Sequence, residues 1–260
     1  MTQLFVLDID GCISYPFVTP EWDVIQKIRE LQARSRREER VPELSICTGR
    51  PLPYAEAVAQ WLDIRQPIIF ESGGGLFDPK KYHIEWSRHL DDEVLEQMEE
   101  IKKWVERDVM PRFRGTTMEV GKRLDVGLIS MDPEQVLEIY RYIKPRVEEK
   151  YSRCIVHRTD VSINIILEAS NKGSGLLQLA DYTGVALQKM AYIGDSSGDI
   201  AALEISGTSF APANATEEVR SLDEVICLKG SATQAVLEAY ELLIKRNEGL
   251  AHESRLAKTR

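Results

Sequence analysis

The chain has no uninterrupted apolar stretch near the roughly 20 residues a membrane-spanning helix needs, and no basic segment precedes its first apolar run. A helical membrane protein is therefore excluded, and a cytoplasmic location with no membrane partner is the expectation. Cysteine is scarce. Cys12, Cys47, Cys154 and Cys227 stand far apart and form no metal-like pair, so reduced, mostly buried thiols are expected rather than a disulfide framework. Positive charge is in deficit: 33 Lys and Arg face 42 Asp and Glu, for a formal net charge of -9. That balance argues against nucleic acid as a partner, and any phosphate site has to be built locally from amides, a metal ion and a few cations. What is present is 260 residues, 43% of them hydrophobic, enough for a sizeable core and two unequal domains.

The most informative segment is Leu4-Phe5-Val6-Leu7-Asp8-Ile9-Asp10-Gly11, an apolar run ending in two acids and a glycine. Such a run fits a buried parallel strand, and acids at its exit lie at the carboxyl edge, where open α/β sheets bind their ligands. Alternation along a strand points Asp8 and Asp10 the same way, toward one metal or one phosphoryl group. Like charges that close repel unless a cation lies between them. Taken alone, Asp-x-Asp-Gly also reads as a simple turn opener.

Thr19-Pro20-Glu21 has the pattern of a helix start, and Val24, Ile25, Ile28 and Leu31 supply an apolar face behind it. A second strand is expected at Leu44 to Cys47, leaving through Thr48-Gly49-Arg50 into a helix after Pro51, and a third at Pro67 to Phe70. Alternating strand and helix predict a Rossmann-like parallel sheet covered on both faces, the α/β class. From about residue 79 the rhythm changes. A helix from Asp91, two short β segments near 117–119 and 123–130, a helix after Asp132-Pro133 and two more strands near 154–157 and 161–167 make an α+β unit of their own. The alternating pattern then resumes with a helix from Asn171-Lys172-Gly173, a strand at Met190 to Ile193 ending in Gly194-Asp195, and last strands near 208–210 and 225–227. The reading is a core of residues 1–78 and 169–260 with an inserted α+β domain at 79–168, and a mobile polar tail after about Lys245.

Thr48, Lys172, Asp195 and Asp199 each have a duller explanation, as a cap, a solvated lysine and two turn acids. Their order along one sheet edge is what matters. The segments Leu7-Asp8-Ile9-Asp10-Gly11, Ser45-Ile46-Cys47-Thr48-Gly49-Arg50, Asn171-Lys172-Gly173 and Gly194-Asp195-Ser196-Ser197-Gly198-Asp199 resemble the four motifs of the haloacid dehalogenase superfamily of phosphatases. Ala211-Pro212-Ala213-Asn214-Ala215 resembles a segment of the branch whose α/β cap is inserted between the second and third motifs, the Cof-like and sucrose-phosphatase-like members. The likeness covers the chain up to its tail.

The resemblance implies a phosphoric monoester hydrolase. Asp8 would be the nucleophile that forms an aspartyl-phosphate, and Asp10 the acid and base for the leaving oxygen and the water. Thr48 would hold a phosphoryl oxygen through its hydroxyl and backbone amide, with Lys172 beside the phosphoryl group and Asp8 and with Gly49 and Arg50 completing the substrate contacts. Mg2+ is the implied metal, taken by Asp8, the Asp10 carbonyl and Asp195, with Asp199 supporting it through water or by orienting Lys172. Arg50 reads equally as a phosphate anchor and as a structural ion pair. Cys12, Ser72 and Gly198 depart from the usual residues without removing a required charge.

Specificity is expected in the insertion, where Arg112, Arg114, Lys122, Arg123, His157 and Arg158 stand near turns or strand ends. Trp86, Trp104 and Phe113 are read as packing rather than a sugar platform. The Thr-Gly-Arg form of the second motif resembles the sugar-phosphate members, so a sugar phosphate is the favoured small-molecule partner. A phosphomannomutase-like activity and a non-catalytic binding protein on the same fold are the alternatives. The insertion also offers a surface on which two copies could pair as a homodimer.

Overall fold

The structure is a computed structural model that describes residues 1–15, 17–159 and 161–258. Its strands are β1 (Leu4–Leu7), β2 (Glu43–Ile46), β3 (Ile68–Phe70), β4 (Gly75–Asp78), β5 (His83–Trp86), β6 (Thr117–Met118), β7 (Asp125–Ile129), β8 (Cys154–Arg158), β9 (Ser162–Leu167), β10 (Met190–Ile193), β11 (Thr208–Ala211) and β12 (Val225–Cys227). Its α-helices are α1 (Trp22–Ser35), α2 (Leu52–Trp61), α3 (Asp92–Trp104), α4 (Pro133–Lys150), α5 (Lys172–Thr183), α6 (Ile200–Ile205), α7 (Glu217–Arg220) and α8 (Ala232–Lys258).

The central sheet runs β12-β11-β10-β1-β2, and every neighbouring pair is parallel. All four residues of β1 are buried, and the two-residue period of a strand divides them between two cores. Phe5 and Leu7 join Ile28, Val58, Ala239 and Tyr240 on the face covered by α1, α2 and α8. Leu4 and Val6 join Leu176, Leu179 and Leu203 on the face covered by α5 and α6. A strand buried on both faces has no polar side, which is why β1 reads as one continuous apolar run.

β3 follows the same sheet only through one parallel bridge, Cys47 to Ile69, and otherwise pairs antiparallel with β4, which pairs in turn with β5. The sequence reading places β3 in the parallel sheet and does not anticipate the β4–β5 hairpin. The reason is local: the Gly73-Gly74-Gly75 turn sends the chain straight back, and a Cβ on Gly75 would lie 2.3 Å from the Phe70 ring it packs under. The expected domain change at residue 79 falls in the turn between β4 and β5.

The inserted unit is a four-stranded antiparallel sheet, β6-β7-β9-β8, with α3 and α4 on one face. It carries its own core, including Met98, Ile101, Leu128, Ile139, Ile143 and Ile165. Both helices begin on a side-chain cap, Asp91 accepting from Val94 N–H and Asp132 from Glu134 and Gln135 N–H, with Pro133 in the first turn. Trp104 stacks on Tyr142, and Phe113 and Trp86 make edge contacts with Tyr142 and Phe70, so these aromatics pack as expected.

The segment after Lys245 corrects the expectation of a mobile tail: α8 continues through it to Lys258. Ala, Leu, Glu, Lys and Arg are strong helix formers. The buried Asn247 amide also fixes the helix to the chain start, accepting from Thr2 N–H and donating to the carbonyls of Thr2 and Arg40.

Candidate active site

Strand register assembles the site. Leu7 is level with Ile193 of β10 on one side and Ile46 of β2 on the other, so the residues that follow all three strands emerge together at the carboxyl edge. Asp8 N–H donates to Ile193 O and Cys47 N–H to Leu7 O, extending the ladder one residue into the site. Asp8 is therefore flanked by Gly194-Asp195 and by Thr48. Gly11 permits the tight exit of β1: its φ is +76°, and a Cβ there would fall 1.9 Å from Asp195 Oδ2. Asn214, from the Ala-Pro-Ala-Asn-Ala segment, clamps this turn by donating to Gly11 O while accepting from Ala232 N–H at the start of α8.

Lys172 is the first residue of α5, which Asn171 caps in a reciprocal box with Ser174. Its Nζ lies 2.9 Å from Asp8 Oδ1 and 2.6 Å from Asp199 Oδ1. Burial disfavours the lysine charge, but the carboxylates of Asp199 and Asp8 outweigh it and hold the ammonium protonated well beyond its ordinary range. Asp199, fully buried, is saturated with donors. Lys172 and the Tyr192 hydroxyl reach Oδ1, while Asp195 N–H, Ser196 N–H and the Ser196 hydroxyl reach Oδ2. Of the two supporting roles the resemblance allows Asp199, orienting Lys172 is the one these contacts match. Tyr192, at 2.7 Å from Asp199, escapes sequence reasoning because a strand tyrosine looks like ordinary core.

Oxygen atoms of Asp8, Asp195 and Asp199 lie within 4.8 Å of one another, with Lys172 the cation in contact with Asp8 and Asp199. Burial first, and then the Asp199 carboxylate, push Asp8 well above the ordinary carboxylate range and Asp195 up to about 7. Three acids against one lysine leave a buried deficit of positive charge that a hard divalent cation would fill. Since Asp199 has no free lone pair pointing away from its donors, Asp8 and Asp195 are the side chains suited to direct ligation.

Two sequence expectations change. The Thr48 backbone amide donates to Ile69 O and is not open to a phosphoryl oxygen; the Thr48 hydroxyl, which accepts from Arg50 N–H, keeps its own proton to donate. The Asp10 carboxylate does not face the three-acid group. Arg50 grips it with two hydrogen bonds, Nε to Oδ2 at 2.7 Å and Nη2 to Oδ1 at 2.9 Å, so only its backbone carbonyl remains for a metal. Arg50 also reaches Glu119 of the insertion at 2.9 Å, and Gly49 packs against the Ser72 side chain. Of the insertion residues singled out, Lys122 and Arg123 approach this edge: Lys122 binds Glu119, and the Arg123 and Leu124 amides donate to Glu71.

Comparisons with known proteins bear on the fold and the family. A phosphoglycolate phosphatase of Methanopyrus kandleri is 28% identical over 229 residues, covering 87% of this chain and 90% of that protein. A crystal structure of a Thermoplasma acidophilum protein superposes with a TM-score of 0.69 at 20% identity, covering 94% of this chain and 98% of that one. The sucrose-phosphatase of Synechocystis, solved with sucrose and phosphate, gives 0.67 at 15% identity over 94% and 98% of the two chains. At those identities the two structures establish the fold. Residues 108–239, just over half of the chain, match the haloacid dehalogenase-like hydrolases, and the protein belongs to that family.

Proposed function

We propose that the protein is a Mg2+-dependent phosphatase that hydrolyses the phosphate ester of a small metabolite through an aspartyl-phosphate on Asp8. The observation that carries this reading is the buried trio Asp8, Asp195 and Asp199 held against Lys172 at the carboxyl edge of the sheet. Asp8, Asp195 and the Asp10 carbonyl would hold the ion, which supplies positive charge against the nucleophile and the phosphoryl oxygens.

The chain's own residues supply the rest. An Asp8 oxygen attacks phosphorus as the ester P–O bond breaks, and Asp10 gives its proton to the departing alkoxide oxygen. Asp10 then takes a proton from the water that attacks the same phosphorus, releasing phosphate and restoring Asp8. Lys172 and the Thr48 hydroxyl hold phosphoryl oxygens during both steps, and Asp199 with Tyr192 keeps Lys172 in place. Arg50 must release Asp10, and the freed carboxylate must take up a proton from solvent, before it can give one to the leaving oxygen. The shared name of the relatives supports a short phosphorylated acid over the sugar phosphate that the Thr-Gly-Arg motif resembles. A cytoplasmic location fits four cysteines that are all free thiols.

Purified protein with Mg2+ should release phosphate from 4-nitrophenyl phosphate without an added sugar bisphosphate, which separates hydrolysis from mutase chemistry. Asp8→Asn should abolish release with the circular dichroism spectrum unchanged. Full activity in that variant refutes the nucleophile assignment.

A further inference from the structure

The Arg50 guanidinium is shared between two carboxylates, one from the core and one from the insertion. Nε and Nη2 hold the two oxygens of Asp10 at 2.7 and 2.9 Å, and Nη1 reaches Glu119 Oε1 at 2.9 Å. The Arg50 side chain is 16% exposed, and its Cζ lies 5.1 Å from the centre of the Tyr54 ring. Burial opposes its charge, and the Asp10 hydrogen bond together with the Asp10 and Glu119 charges outweighs that opposition. A guanidinium so far out of water has to keep a carboxylate partner, since removing the last one leaves an uncompensated charge.

Glu119 is the better fixed of the two partners. Its Oε2 lies 2.6 Å from Lys122 Nζ, and Lys122 is itself held by Asp125 at 2.8 Å and by Asn164 at 2.9 Å. Glu119 N–H donates to Gly127 O, continuing the β6–β7 pairing. The turn is also fastened to the second motif: Glu71 accepts from the Arg123 and Leu124 amides, and its own N–H donates to Arg50 O. The Asp10 side chain, by contrast, is 33% exposed, and Arg50 is its one ion-pair partner among the described residues. Asp10 is therefore the carboxylate that Arg50 can give up.

We propose that Glu119 is a positioning residue for the general acid: it retains the Arg50 guanidinium when Arg50 leaves Asp10, so that a seated insertion frees Asp10 to face the leaving oxygen. Every cation keeps a counter-charge through this exchange, Arg50 that of Glu119 and Lys122 that of Asp125. In Glu119→Gln, Asp10 is the one carboxylate left on Arg50, and the clamp tightens. The inference rests on the phosphatase reading, in which Asp10 serves the leaving oxygen.

The test compares phenyl phosphate with 4-nitrophenyl phosphate on the whole protein with Mg2+, read as kcat/KM, which covers the step that breaks the ester bond. The two esters are close in shape, but phenolate is the more basic leaving group and gains more from a proton donor. Glu119→Gln should lower kcat/KM for phenyl phosphate roughly tenfold, a part of the roughly hundred- to ten-thousandfold that a general acid supplies, and for 4-nitrophenyl phosphate no more than about twofold. If Glu119→Gln does not fold, Glu119→Asp, which keeps the charge but withdraws it from Arg50, should show the same split. A role confined to seating the insertion lowers both esters alike, and a substrate phosphoryl group that itself pairs with Arg50 leaves both unchanged; either result overturns the proposal and leaves the phosphatase reading standing. A second measurement needs no turnover: thermal unfolding of metal-free wild type, Asp10→Asn, Glu119→Gln and the double variant. Each single variant leaves Arg50 one carboxylate, so the double variant should lose more Tm than the two singles together, and additive losses overturn the shared guanidinium. No phosphate release from either ester by folded wild type overturns the proposal and the phosphatase reading together.

Discussion

Replacing Asp195 by Asn asks whether the three-acid group is held for a cation. Asp195 is partly buried, and its carboxyl is raised from the ordinary 3.8 to about 7, by burial first and by Asp199 second. At about 1.4 kcal/mol per decade of proton affinity, that rise corresponds to about 4 kcal/mol. The sign follows from linkage. A carboxyl raised by folding favours the folded chain fully below pH 3.8, and this contribution is lost as pH climbs through about 7. The metal-free protein should therefore lose stability between pH 5 and 8. Asp195→Asn keeps the shape and should remove Asp195's share of that loss, leaving the share of Asp8, whose carboxyl burial also raises. A bound cation restores what the protons had supplied, and at 100 times Kd contributes about 2.7 kcal/mol. For a chain of this size that amounts to a rise of roughly 5–10 °C in Tm. The assay is thermal unfolding from pH 5 to 8 in chelator and in excess Mg2+, for wild type and variant. An equal Mg2+-induced rise in Asp195→Asn, or none in wild type at pH 8, refutes the reasoning.

Two further outcomes follow from the same geometry. Gly11→Ala sets a Cβ 1.9 Å from Asp195 Oδ2 at a φ of +76°. It should abolish phosphate release and the Mg2+ response of Tm together, read from colorimetric phosphate and thermal melts. Tyr192→Phe removes a buried hydroxyl donated to Asp199 and should cost about 1.5–3 kcal/mol in urea unfolding, the range for a hydrogen bond to a charged group. Its kcat should fall while KM changes less, because Lys172 loses part of its brace rather than its charge.

Much of the site was legible because its residues are tied to strand ends. Asp8, Thr48 and Asp195 each follow a short apolar run, Lys172 follows a capping asparagine, and parallel register brings such positions to one edge whatever the loops do. Tyr192 was not legible, since a strand tyrosine has a commonplace role, and although the segment carrying Asn214 was singled out, only contact reveals that its amide holds the Gly11 turn. The β4–β5 hairpin was missed because a glycine run signals a turn without saying where the chain goes next. The charged end of α8 looked like a loose tail because the contacts that anchor it, from Asn247 to Thr2 and Arg40, span more than 200 positions of sequence.

By itself the sequence determined the class of the fold, since periodicity and local signals at strand ends are properties of neighbouring residues, and the resemblance of its motifs nominated the residues of the candidate site. Only the tertiary structure decided how those groups divide their hydrogen bonds. It gave the Thr48 amide to Ile69, turned the Asp10 carboxylate to Arg50, closed Asp199 around Lys172 and Tyr192, and set Glu119 of the insertion on the same arginine. Each of these is a choice among several competing partners brought within 3 Å or so from distant parts of the chain, and no local pattern records which donor reaches which acceptor first.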